Sequence, residues 1–503
     1  MGGKRQILAR LLLASTNHTI VELPYPLTIT SFIPMNYIIN NASIVNEGQI
    51  FTGNVYIKDG EIAAISHGDA DAPAHDSNFR SIDANGLFLI PGVIDTHVHF
   101  REPGLTEKAD IYTESRAAVA GGVTSFVDMP NTVPQTTTME LLERKALMAA
   151  ERSMANYGFM LGATNNNIDE LLAADPSKFA AVKLFLGSST GDMLVNNPQA
   201  LDLLFSHCKK LIVAHCEEEE IVQANLRNFK MECAGTDRET AALHPQIRTT
   251  EACYVSTYKA IERARRFGTR LHIAHISTAT ELDLLSNLPL DQKHITAEVT
   301  PNHLWFDERD YAALGNLIKC NPAIKRNEDR LALWAALYDG LIDTIATDHA
   351  PHTLASKQQR YFDAPGGIPS IQHSLLMMLE PLFNNSYTAD EQIEFRNTWL
   401  PLIVRLMCHN PATLFGIERR GFIRQGYHAD LTLVRPNIET NVSHDSLLYK
   451  CGWSPLEGQT FHCRVEMTFV NGQPAYTASN GLAENSNSQR LLFSSAYLPS
   501  PQR

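Results

Sequence analysis

The chain has 503 residues, 44% hydrophobic and 19% charged, with a net charge of −13. That composition excludes a disordered chain and suits a large soluble core, and the acidic balance argues against nucleic-acid or anionic-membrane partners. The eight cysteines (208, 216, 233, 253, 320, 408, 451 and 463) form no C-x-x-C pair and read as reduced thiols in a cytoplasm, while no apolar run approaches the roughly 20 residues of a membrane helix.

In chain order, Lys4 and Arg5 precede ILARLLLAS, a loose imitation of a signal peptide that Arg10 interrupts and no small-residue cleavage site follows. Residues 1–34 are read as a disordered extension from an upstream start codon, with a targeting peptide as the alternative. Residues 35–86 read as short strands separated by turn signals at Asn40-Asn41, Asp59-Gly60 and Asn85-Gly86. From residue 87 eight apolar strand-like runs recur, at 87–99, 122–130, 157–164, 180–187, 210–216, 270–277, 294–301 and 343–350, with helical stretches such as TEACYVSTYKAIERARRFG between them. Strands alternating with helices imply a parallel sheet. Eight units over roughly 300 residues predict an α/β fold, a (β/α)8 TIM barrel over 87–415, with a doubly wound open sheet as the alternative. Strand and turn signals return afterwards, including a hairpin at Asn471-Gly472. The segments 35–86 and 416–480 are therefore expected to pair as one small β-sandwich domain, and residues 481–503, rich in Ser and Asn, to form a loosely packed tail.

In such a barrel the reacting groups sit at the C-terminal ends of the strands. Run one ends in His97 and His99, run four carries Lys183, run five ends in His215, run six in His275 and run eight in Asp348. His97 and His99 are two apart and share one side of their strand. Imidazole and carboxylate are the ligand set for zinc and similar divalent ions. A single strand-end histidine is commonly a hydrogen-bonded core residue, but four in corresponding places, with an Asp and a buried Lys, point to a metal site. Other polar residues read as structural. Glu217 to Glu220 suit the first turn of a helix, His272 has the opposite strand parity to His275, and Cys216 packs in the core. His303 is left open.

The runs DTHVHFREPG (95–104), GGVTSFVDMPNT (121–132), VKLFLGSSTG (182–191), VAHCEE (213–218), HIAHIST (272–278) and ATDHAPH (346–352) resemble the motif series of dihydroorotases, in the amidohydrolase superfamily. The resemblance spans about residues 36 to 475 and extends to NPATLFGI and GFIRQGYHADL at the barrel exit. It implies two Zn2+ per subunit, with His97 and His99 on the more buried ion and His215 and His275 on the other. A carboxylated Lys183 and a hydroxide would bridge them, although some branches of the family use an aspartate bridge instead. It implies that Asp348 binds metal and shuttles the proton, and that Arg101, Asn131 and His352 hold the substrate carboxylate. The loop 361–374 falls where the family contacts the pyrimidine, with no single residue assigned.

The implied reaction is the reversible hydrolysis of L-dihydroorotate to N-carbamoyl-L-aspartate in pyrimidine synthesis. A hydroxide held between two metals would attack the ring amide, and Arg101 would offer its fork to the carboxylate. The partner implied is this small molecule, with no nucleic acid and no membrane; a homodimer and an association with aspartate transcarbamoylase stay open. An allantoinase or hydantoinase activity is the rival, and a non-catalytic scaffold subunit ranks lower because every candidate ligand is present.

Overall fold

A computed structural model describes residues 35–68, 79–187, 193–383, 389–483 and 487–494. The N-terminal extension and the end of the VKLFLGSSTG run lie outside these residues. The period-2 patterning after residue 35 folds as β1 (Asn36–Asn46), β2 (Gln49–Lys58) and β3 (Glu61–His67), an antiparallel meander. The turn between β2 and β3 takes Asp59 and Gly60 to φ of 54° and 87°, the doubly left-handed geometry of a tight hairpin. β4 (Phe79–Asp83) and β5 (Phe88–Pro91) both run parallel to β1.

The barrel strands follow: β6 (Val93–Val98), β7 (Val123–Asp128), β8 (Asn156–Phe159), β9 (Leu161–Gly162), β10 (Val182–Phe185), β11 (Ile212–His215), β12 (Leu271–Ile273), β13 (Ile295–Val299) and β14 (Thr344–Ile345). All their pairings are parallel, and the third apolar run is divided at Met160 into β8 and β9. A parallel bridge between Val98 and His349, with the amide of His99 donating to His349 O at 2.8 Å, joins the first strand to the end of the eighth. The result is the predicted TIM barrel.

The first apolar run does not form one strand. Leu87 to Pro91 belong to the outer sheet, so the first β segment runs to Pro91 instead of ending at residue 86, and the barrel begins at Val93. Gly92 permits the crossing, because a Cβ there would lie 2.1 Å from Thr124 Oγ1. After the barrel, β15 (Leu431–Asn441) pairs antiparallel with β5, and β16 (Thr460–Val470), β17 (Gln473–Thr477) and β18 (Gly481–Leu482) extend the sheet. The N- and C-terminal β segments thus share one sheet and form the sandwich domain. Strand alternation divides β5 between two cores. Leu89 packs with Ile39, Ile57 and Phe469 inside the sandwich, whereas Phe88 and Ile90 pack with the barrel.

Among the described residues no helix is long and apolar enough to cross a membrane. The tail differs from its expectation over residues 487–494. Leu491 and Phe493 are buried, the Leu491 amide donates to Tyr157 O at 2.8 Å, and Ser494 donates to Gly416 O at 2.7 Å. Phe493 lies so close to β8 that a Cβ on Gly158 would meet its ring at 2.8 Å. Arg490 adds an ion pair to Glu143 at 2.6 Å, so apolar and polar contacts together dock the segment. Phe493→Ala is expected to lower stability in denaturant by roughly 3–5 kcal/mol. An unchanged unfolding midpoint would show that this segment does not hold the barrel.

Candidate active site

The strand ends bring all nine predicted site residues to one cavity. His97, His99, Arg101, Asn131, Lys183, His215, His275, Asp348 and His352 line it, together with Phe185, Asn321, Ala350, Gly366 and Gly367. His97 lies in β6 and His215 ends β11, while His99, His275 and Asp348 follow shortly after β6, β12 and β14. Arg101, His275 and Asp348 adopt φ of 66°, 40° and 48°. Side chains rarely take this left-handed backbone, which costs about 1–3 kcal/mol per residue and persists where the surrounding structure enforces it.

Each histidine is oriented by a second group. His97 Nδ1 lies 2.7 Å from Glu298 Oε1. A carboxylate only accepts, so Nδ1 carries a proton and donates it to Glu298. His99 Nδ1 donates to Asn131 Oδ1 at 2.8 Å. Both Nε2 atoms face Asp348 Oδ1, His97 at 3.4 Å and His99 at 3.0 Å. His215 Nε2 donates to Glu217 at 2.9 Å, which turns its Nδ1 towards His275 Nε2, 2.9 Å away. Arg101 donates from Nε to Pro351 O at 3.1 Å and from its terminal nitrogen to His352 Nε2 at 3.2 Å.

Glu298 and Glu217 were not singled out as site residues by the sequence. Glu217 is not part of the helical first turn, since the helix Glu219–Cys233 starts after it. Glu217 is instead fully buried between His215 and the guanidinium of Arg248. The available signal for Glu298 was an acid inside an apolar strand, which requires a buried partner. Asn321, Gly366 and Gly367 were likewise unassigned and are carried to the cavity by loops. His272 and Cys216, read as structural, stay outside it, as does His303, which the sequence left open. His272 bonds Thr296 at 2.8 Å, His303 bonds Thr300 at 2.8 Å and Pro322 O at 3.1 Å, and Cys216 is in the hydrophobic core.

Burial governs the charges. It lowers His99 to about 4 and holds His215 and His275 below the ordinary imidazole value. Burial would raise Asp348, Glu217 and Glu298, yet the adjoining imidazoles and, for Glu217, first of all Arg248 hold all three well below the usual carboxylate range. Lys183 is pulled down to about 8 by burial, and its Nζ has no hydrogen-bond partner.

This donor set suits a divalent cation. Ligand atoms of His97, His275 and Asp348 lie within 4.8 Å of one another, and imidazole nitrogen with carboxylate oxygen is a ligand set for zinc and similar ions. His99 and His215 could complete two sites. The unpartnered Lys183 Nζ, 5.1 Å above the Phe185 ring, is the amine that a bridging modification would require.

Residues 88–475 match the model of the Amidohydrolase family. A dihydroorotase of Halobacterium salinarum is 34% identical over 396 residues, 78% of this chain and 87% of that protein. An allantoinase of Escherichia coli is 28% identical over 466 residues, 90% of this chain and 98% of the relative. Among solved structures, the L-hydantoinase (dihydropyrimidinase) from Arthrobacter aurescens superposes with a TM-score of 0.82 at 27% identity, over 91% of this chain and 99% of the other.

The orienting carboxylates generate a prediction. Glu298→Gln is expected to weaken divalent-metal retention about 10- to 100-fold, because ligand-orienting groups commonly contribute that much. Elemental analysis after graded chelator dialysis measures it. Equal retention by variant and wild type would remove Glu298 from any metal role.

Proposed function

The chain belongs to the amidohydrolase family, and we propose that within it the protein is a dihydroorotase, interconverting L-dihydroorotate and N-carbamoyl-L-aspartate on the cytoplasmic route to pyrimidines. One observation carries this choice among cyclic amides. Arg101 is buried in the cavity wall and pairs with no carboxylate among the described residues. A buried cation without a counter-ion is costly, and a substrate carboxylate would supply the missing charge. Allantoin, hydantoin and dihydrouracil carry no carboxylate and would leave Arg101 unpaired.

His97, His99, Asp348, His215 and His275 would hold two zinc ions, with Lys183 bridging once it has added carbon dioxide at Nζ and released a proton. When bound, the metals supply Lewis-acid polarisation of the ring carbonyl and lower the pKa of water towards about 7. The chain's own residues do the rest. Arg101 presents its guanidinium fork to the carboxylate. Nδ1 of His352 is buried without a partner, a position for a further bond to the same group. Asn131 orients His99 through its side-chain oxygen, beside Arg101 and His352 in the cavity lining. Asp348 takes the proton of the attacking water and returns it to the ring nitrogen as the C–N bond breaks, and the reverse sequence closes the ring.

Ultraviolet loss of dihydroorotate, run beside allantoin, hydantoin and dihydrouracil, tests the proposal. Turnover of a neutral ring amide with none of dihydroorotate would overturn it in favour of the rival activities. Arg101→Ala is expected to lose about 2–5 kcal/mol of transition-state binding, read as kcat/KM on dihydroorotate, with metal content intact. Wild-type kinetics in that variant would refute the carboxylate clamp. Lys183→Ala is expected to lose both metal and turnover and to recover part of each with a short-chain carboxylic acid. Full metal occupancy without the lysine would exclude its bridging role.

A further inference from the structure

Two lysines absent from this mechanism are buried beneath the segment that brings Gly366 and Gly367 to the cavity. Lys357 is 1% exposed, and its Nζ donates to Lys319 O at 3.0 Å, Pro365 O at 3.1 Å and Gly367 O at 2.9 Å. Lys319 is 8% exposed and donates to Tyr361 O at 2.6 Å and to Ala364 O at 2.5 Å, with its ammonium 4.3 Å above the Tyr361 ring. The Gly367 amide returns a bond to Lys319 O at 2.8 Å. Neither ammonium pairs with a carboxylate among the described residues.

A surface lysine keeps its head in water, and a buried one ordinarily meets an acid. Here four of the five acceptors are carbonyls of a single strap, Tyr361 to Ile368, and the fifth is Lys319 O. Three carbonyls around Lys357 match the three N–H donors of an ammonium; a neutral amine has only two, so the geometry requires the charged form although burial draws its pKa down to about 7. The strap reaches the catalytic wall directly, since Gly366 O lies 3.1 Å from His352 Nε2 and the Ala350 amide donates to Ile368 O at 3.0 Å. Gly367 has φ of 147°, and a Cβ there would lie 2.2 Å from Ala350 O, so the strap approaches the wall as closely as glycine allows.

We propose that Lys357 and Lys319 are positioning residues for substrate recognition: they turn the strap's carbonyls outward, fix its glycines at the cavity, and add positive charge to the wall that faces an anionic ring amide. The proposal rests on the dihydroorotase reading. Carbonyl oxygens aimed into the cavity would repel a carboxylate, and tying four of them to two ammonium groups removes that repulsion while supplying an uncompensated cationic field beside Arg101 and His352.

The test compares wild-type and Lys357→Met holoenzymes, matched for metal content and for circular dichroism, on dihydroorotate and on neutral dihydrouracil. The expected result is a rise in KM for dihydroorotate of about tenfold or more, a smaller effect on its kcat, and a fall of about tenfold in the preference for the anionic over the neutral substrate. Lys319→Met should act in the same direction. A folded variant with that preference unchanged, or one that loses kcat equally on both substrates at constant KM, overturns the proposal. Failure of both variants to fold overturns it too, because it would assign the lysines to stability. A wild-type enzyme inert towards dihydroorotate would instead refute the reading beneath it, a result distinct from any of these.

Discussion

The cavity depends on the seam where the first and eighth barrel strands meet. Asp95 accepts hydrogen bonds from the amide of Thr347 at 3.1 Å and from its hydroxyl at 2.7 Å, between residues 252 positions apart in the chain. The same carboxylate accepts from the His97 amide at 3.2 Å. One buried acid therefore joins the backbone that carries His97 to the backbone that carries Asp348. Burial raises its carboxyl to about 6 despite these three donors. His349 extends the seam outward, bonding Glu114 at 2.8 Å through Nε2 and accepting the Ser370 amide at 3.0 Å through Nδ1. Asp348 stands between these fixed neighbours, which accounts for the left-handed backbone it is made to keep.

Around this seam the charges are distributed unevenly. Glu298 and Glu217 each orient a histidine from behind, so their negative charge is spent on imidazole protons. Arg248 compensates Glu217. Arg101 on the cavity wall has no such compensation from an ion pair among the described residues. The wall offers imidazole and carboxylate ligands at one end and a buried guanidinium at the other. A divalent ion would answer the first and an anion the second, which is the pair of needs the proposed substrate, a ring amide beside a carboxylate, would meet.

The motif histidines were legible because each stands at the same point of a repeating strand, and local patterning places strand ends. The division of residues 87–99 was not legible, because both halves are continuous apolar runs and only pairing partners distinguish the sandwich strand β5 from the barrel strand β6. Glu217 was misread for a related reason. An acid at a helix start and an acid buried under a histidine look alike along the chain, and Arg248, 31 residues later, makes the difference. The docked tail combines the buried Leu491 and Phe493 with polar contacts such as Arg490 to Glu143 at 2.6 Å, within a stretch whose composition reads as loose.

By itself the sequence determined the barrel-and-sandwich architecture and placed His97, His99, Lys183, His215, His275 and Asp348 on barrel strands, since alternation with period two and strand-end position are local properties. Arg101, Asn131 and His352 were reached through the motif resemblance. The tertiary structure alone decided which acid orients which histidine, which strand belongs to which core, and that Lys319 and Lys357 grip the strap beside the cavity. Those pairings join residues as distant as His97 and Glu298, 201 positions apart. A hydrogen bond depends on distances and angles of a few ångströms that exist only after the barrel has closed.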